Sequence, residues 1–262
     1  MVIPCIDMKI ILIGAGNLAT QLAVALQKKG MTPAYIYSRT RESAEQLSER
    51  LRDVPHSTDI SRVPTDGDLY IFAVKDSALL DLVSRMSTNR GLWVHTAGSM
   101  DMEVFAPYTA RYGVFYPMQT FSKERVTDFD DIPIFVEANH TNDTERLQEL
   151  AGRLSTKVYE ATSEQRKYLH LAAVFACNFT NHLYALCDRI LSEHGLPFET
   201  MLPLIRETAA KVADMPPEQA QTGPAIRYDK NVIDKQMALL SDPTMRQIYD
   251  LMSRSIHETN KH

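Results

Sequence analysis

Near its start the chain reads Ile10-Ile11-Leu12-Ile13-Gly14-Ala15-Gly16-Asn17-Leu18-Ala19, an apolar run that breaks into a glycine turn and resumes with helical spacing. Nothing else in the sequence restricts the fold as much. An apolar stretch from Lys9 to Ile13 with no polar alternation suits a strand covered on both faces. Leu18, Leu22, Ala25 and Leu26 then recur at helical period across 17–29. Gly14 permits a tight turn, Gly16 lets the backbone approach a pyrophosphate, and Ala19 at the third small position lets helix and strand pack closely. Free amides at the helix start, around Asn17 and Leu18, favour phosphate oxygens. The segment therefore predicts dinucleotide binding through Gly14, Gly16, Asn17, Leu18 and Ala19; the plain alternative is a tight strand–helix turn.

The pattern continues. Strands are expected at 34–37, 69–74 and 92–95, with helices at 41–51 and 77–86 between them; further strands are expected at 112–116, 132–137 and 157–160, with a helix at 143–154. Apolar strands alternating with helices indicate a mostly parallel sheet of Rossmann type. From Ser163 the strand signals stop. The stretch 164–194 lacks both Gly and Pro, and Gly195 and Pro197 then close it in the usual order. More helices are expected at 198–213, 229–240 and 243–258. The expected organisation is an α/β domain over 1–161 followed by an all-α domain over 162–262.

A net charge of −5 argues against a general nucleic-acid binder, which needs a basic face. No run approaches the roughly 18 apolar residues that span a bilayer. The run Ile10–Ile13 is too short for a secretory leader, and Met1–Asp7 read as a lead-in to the fold. Cys5, Cys177 and Cys187 form no metal-type or paired spacing; the last two lie about 15 Å apart along a continuous helix. No metal is expected, and a reduced, cytoplasmic protein is.

Cofactor choice is read at the end of the second strand, where NAD binders usually carry an acid for the ribose 2′-hydroxyl. Here stands Tyr37-Ser38-Arg39-Thr40-Arg41, with no acid before Glu42. Hydroxyls and forked guanidiniums suit a 2′-phosphate, so Ser38, Arg39 and Thr40 point to NADP(H). A helix start capped by Ser38 or Thr40 is compatible with that reading.

Leu69–Asp76 resembles the fourth-strand signature of the pyrroline-5-carboxylate reductase and 6-phosphogluconate dehydrogenase superfamily. With His95-Thr96-Ala97-Gly98-Ser99, Tyr116-Pro117-Met118-Gln119-Thr120-Phe121, His170, Asn178–His182 and Thr222–Arg227, nearly the whole chain resembles an uncharacterised bacterial group there. That group has a Rossmann-like domain, a helical domain of unknown function and a label as NADP oxidoreductases. The resemblance implies that Ala73, Val74 and Lys75 border the cofactor, that the first helix of the second domain faces the nicotinamide, and that the helical domain forms a homodimer. One departure stands out: the group usually has His where this chain has Tyr116, so an acid–base role there falls to the phenol or elsewhere.

The candidate chemistry is sparse. His95 ends a central strand, where ligands of open α/β sheets bind. At about 100° per residue, with His170 as zero, Asn181 falls near about 20°, Asn178 near about 80° and His182 near about 120°. His95 and His170 are the expected proton donors, with Asn178 orienting; Thr96, Ser99 and Arg227 are candidate substrate contacts. Local backbone bonding for His95, loop satisfaction for Ser99 and helix capping for Arg227 are the structural alternatives. The expected function is NADP(H)-dependent hydride transfer to or from a small polar substrate with a C=N or C=O bond, in a cleft between the domains. A non-catalytic NADP(H) sensor or scaffold is the alternative, and a deazaflavin-using reductase a third reading.

Overall fold

The structure is a computed structural model that describes residues 8–125 and 127–260. Cys5 and the expected lead-in at 1–7 lie outside the described residues. Eight strands form one sheet in the order β3-β2-β1-β4-β5-β6-β7-β8. They are β1 (Ile10–Ile13), β2 (Tyr35–Tyr37), β3 (His56–Ser57), β4 (Leu69–Phe72), β5 (Leu92–His95), β6 (Tyr112–Pro117), β7 (Ile134–Ala138) and β8 (Val158–Glu160). All neighbours run parallel except β6 and β7. Between them lie α1 (Asn17–Lys28), α2 (Arg41–Arg50), α3 (Asp76–Arg85) and α4 (Thr141–Leu154). This is the expected α/β class, with one additional edge strand, β3, whose two residues carry no apolar signal.

Period-2 alternation sorts the strand side chains into two cores. Ile10 and Leu12 pack with Leu22 and Leu26 of α1 and Leu147 and Leu150 of α4 on one face. Ile11 and Ile13 pack with Tyr70, Phe72, Trp93 and Phe105 on the other. The buried polar tips are satisfied: the Tyr70 hydroxyl accepts from Gly67 N–H at 2.9 Å and donates to Pro64 O at 2.8 Å, and Trp93 Nε1 donates to Asn89 at 2.9 Å. Both faces being covered explains why the strands read as continuous apolar runs.

The chain divides into two compact units between Cys177 and Asn178. Packing thus carries the first unit past the expected boundary at 161 and into the long Gly- and Pro-free stretch. The reason is α5 (Ser163–Ala173). Its Arg166 is wholly buried and donates to Glu137 Oε2 on β7 at 2.7 Å, Met100 O at 2.5 Å and Ala97 O at 3.2 Å. Glu137 in turn accepts from the backbone and hydroxyl of Ser163. Thr162 and Gln165 form a capping box at the helix start.

That stretch is not one α-helix either. A π segment, Val174–Phe179, separates α5 from α6 (Thr180–Glu193). The expected arc of His170, Asn178, Asn181 and His182 assumed uniform α geometry and does not hold across the wider turn. In the second unit follow α7 (Leu202–Asp214), α8 (Pro217–Ala220), α9 (Lys230–Leu239) and α10 (Pro243–Thr259), with no strand among its described residues. Leu183, Leu186, Ile190, Met245, Ile248 and Met252 line an apolar groove of about 420 Å³ within it.

Replacing Arg166 by Met should orphan the carbonyls of Ala97 and Met100 and strip Glu137 of its cation. A loss of about 3–5 kcal/mol in urea unfolding is expected; a loss under about 1 kcal/mol would show that the buried pair does not hold α5 to the sheet.

Candidate functional site

The parallel strands β1 and β4 diverge in their connections, β1 leading toward β2 and β3, β4 toward β5 and β6. Beyond their carboxyl ends lies the crevice where open α/β sheets bind ligands. A groove of about 330 Å³ occupies that place. Gly14, at φ 126°, has its missing Cβ against Ala73 O, so only glycine lets the turn lie against the end of β4. Nothing lies within 4 Å of where a Cβ of Gly16 would stand; that residue opens to a ligand. Gly16 is the N-cap of α1 and offers no side chain to its first amides, which leaves those donors for an anion. The turn has the shape and donors of a pyrophosphate cradle.

Ser38, Arg39, Thr40, Ala73, Val74 and Lys75 all line the groove. Thr40 is the N-cap of α2, yet its hydroxyl makes no cap bond, so it faces the groove without a competing local partner there. Arg39 is exposed in this wall, whereas Arg41 is engaged with Glu45 at 2.6 Å. Of the two guanidiniums read from the sequence, the groove holds Arg39. Asn17, Leu18 and Ala19 are not part of the lining: the Asn17 side chain donates to Phe121 O at 3.0 Å, and Ala19 is fully buried against the sheet. What these three present to a phosphate is backbone.

His95 takes the structural alternative. It is buried, its Nδ1 accepts from Ala97 N–H at 3.2 Å, and its Nε2 faces Asp101 O at 3.3 Å. Both ring nitrogens are thereby used by the adjoining turn, in the neutral tautomer that carries its proton on Nε2. Burial, with a further push from the Arg166 guanidinium, lowers its pKa to about 4. The expectation of His95 as proton donor is corrected: it is neutral near pH 7 and shielded by its own loop. Thr96 is buried, with its hydroxyl 3.5 Å from Phe72 O. Ser99 donates a short hydrogen bond to Asp76.

His170 is exposed on α5, and its Nδ1 lies 3.3 Å from the hydroxyl of Tyr116 at the end of β6. A Cβ on Gly98 would come within 2.7 Å of the same nitrogen, so that glycine is the seat of the ring. Burial raises the Tyr116 phenol above its ordinary value, opposed by Arg166. A protonated phenol can donate to Nδ1 of a neutral imidazole and accept from a protonated one. Tyr116, which stands where the resembled group usually has His, is thus brought to His170. Asn178 and Arg227 belong to the second unit; Arg227 is exposed in the turn before α9.

A Rossmann-like domain model matches residues 3–118, and a domain of unknown function, DUF2520, matches 132–256. The latter therefore begins within the sheet, at β7. No curated protein matches the chain. Among solved structures, a Bacteroides fragilis protein described as a putative NADP oxidoreductase is 52% identical, covering 97% of this chain and 99% of that one, with a TM-score of 0.91. The fold is shared with a reductive aminase of Aspergillus terreus solved with NADPH and ethyl levulinate (17% identical, 97% and 95% covered, TM-score 0.73). It is shared also with a pyrroline-5-carboxylate reductase of Coxiella burnetii (16%, 97% of each chain, TM-score 0.59). The class is a Rossmann-like domain continued by a DUF2520 domain. The chain belongs to the family of the Bacteroides protein.

The buried His95 gives the fold an acid sensitivity. Below about pH 6.5 the unfolded imidazole protonates while the folded one stays neutral, so stability falls with pH until about pH 4, by up to about 3 kcal/mol. Urea unfolding across that window should show the slope, and His95→Gln should flatten it. An unchanged slope in the variant would remove His95 as its source.

Proposed function

We propose that the protein is an NADP(H)-dependent oxidoreductase that moves hydride to or from a small polar substrate carrying a C=N or C=O bond. The observation that carries this is the groove. A glycine turn and the start of α1 form its phosphate cradle, and at the end of β2 it offers Ser38, Arg39 and Thr40 in place of an acid. Arg39 forks onto a 2′-phosphate that NADH lacks, and the two hydroxyls add donors to the same oxygens. Val74, Ala78 and Leu82 give the groove an apolar wall for a flat base. The description of the Bacteroides relative as a putative NADP oxidoreductase, and the NADPH in the aminase structure, support the same cofactor.

The cofactor supplies or accepts the hydride when bound. The chain must then hold the acceptor, keep its geometry and move one proton. His170 is the group for the proton. As the C=N or C=O carbon gains hydride, the imidazolium gives its Nε2 proton to the nitrogen or oxygen, leaving a neutral ring; the reverse direction returns it. Tyr116 acts as a positioning residue, holding Nδ1 in either protonation state. Ser99 and Arg227 remain as proposed substrate contacts and Asn178 as an orienting group. We further propose a homodimer formed through the helical unit, whose Leu204, Leu239 and Leu251 are well exposed.

Three measurements test these proposals. NADPH should raise the melting temperature more than NADH at equal concentration; no shift with either would sink it. With a panel of imines, keto acids and aldehydes, His170→Ala should lower kcat by about 100-fold or more while NADPH affinity is kept, and Tyr116→Phe should move the limb of the reductive pH profile on which activity falls as pH rises. NADPH binding without turnover of any substrate would leave a binding protein instead. Sedimentation should give a dimer at micromolar concentration, and a strict monomer would contradict the assembly.

A further inference from the structure

The connection from β6 to β7 is fastened across α1 and α2 by its main chain. Gln21 of α1 is buried; its Nε2 donates to Ser122 O at 2.7 Å and Arg125 O at 2.9 Å, and its Oε1 accepts from Thr127 N–H at 3.3 Å. Asn17 holds Phe121 O, and Arg50 of α2 donates to Lys123 O at 3.0 Å. Phe121 stacks on Phe129 with ring centroids 5.7 Å apart. These bonds tie the backbone of residues 121–123, 125 and 127 to α1 and α2.

Lys123 sits at the middle of that path. It lines the cofactor groove together with Gly16, Arg39, Thr40 and Ser43. It also lines a neighbouring hollow with Thr20, Ser43, Gln46 and Arg50. Ser43 is common to both, so Lys123 borders the same groove as the residues assigned to the 2′-phosphate. A phosphate monoester carries close to two negative charges near pH 7, and Arg39 supplies one positive charge.

We infer that Lys123 is the second cation for the ribose 2′-phosphate, delivered by the β6–β7 strap, and that it sets the preference for NADPH over NADH. This rests on the NADP(H) reading above. It assigns cofactor specificity to a residue far in sequence from the second strand, where that choice is usually read.

The test uses the full chain and titrates NADPH and NADH separately against wild type, Lys123→Met and Lys123→Arg. Lys123→Met should weaken NADPH about tenfold and leave NADH unchanged, and Lys123→Arg should restore most of the loss. Because the strap is held by main-chain carbonyls, the Lys123→Met protein should melt as wild type does. An unchanged NADPH affinity overturns the inference. So does an equal loss for both cofactors, which would place Lys123 at the pyrophosphate or in loop packing. Wild type that binds no NADPH would defeat the functional reading itself, whereas wild type that binds and a Lys123→Met protein that binds equally well defeats this inference alone.

Discussion

The guanidinium of Arg166 is the interaction on which the site depends. A buried charge of this kind survives only when its donors are met. Arg166 meets them with one carboxylate on β7 and two carbonyls of the turn that follows β5. That turn carries Gly98, the seat of the His170 ring, and lies directly after His95, whose imidazole is bonded into the same segment. One side chain therefore fixes a helix, a strand and a loop. It also shapes their electrostatics, lowering the pKa of His95 and opposing the rise at Tyr116.

Much of the first unit was legible in the sequence, because a parallel sheet covered on both faces writes itself as apolar runs between helical patterns. The strands fell within about two residues of their expected limits, the usual precision of boundary reading. β3 was not legible, since His56 and Ser57 are neither apolar nor periodic. Gly14, Gly16, Ser38, Arg39 and Thr40 were legible too, because turn chemistry and strand ends are local properties, whereas Ala73, Val74 and Lys75 were reached through the family resemblance. Contacts across large sequence separations were not. Arg166 reads as a solvated helix face, and nothing near it announces Glu137 or Met100. Lys123 reads as a loop lysine, and only the folded path of Gln21 and Arg50 brings it to the groove.

Two misreadings have a common physical origin. His95 looked like a strand-end acid, and the hydroxyl of Thr96 looked free for substrate. In each case backbone groups take up the polar side chain, an amide and a carbonyl of the adjoining turn for His95 and the carbonyl of Phe72 on the neighbouring strand for Thr96. Tyr116 and His170 escape that competition. Their partners come from different elements, β6 and α5, rather than from the adjoining turn.

The π segment at Val174–Phe179 has a mechanical consequence. A continuous α-helix fixes the azimuth of every residue once the first is set. The wider turn at Val174–Phe179 inserts a phase shift in the middle of such a rod. Uniform 100° spacing counted from His170 therefore does not give the azimuths beyond Phe179.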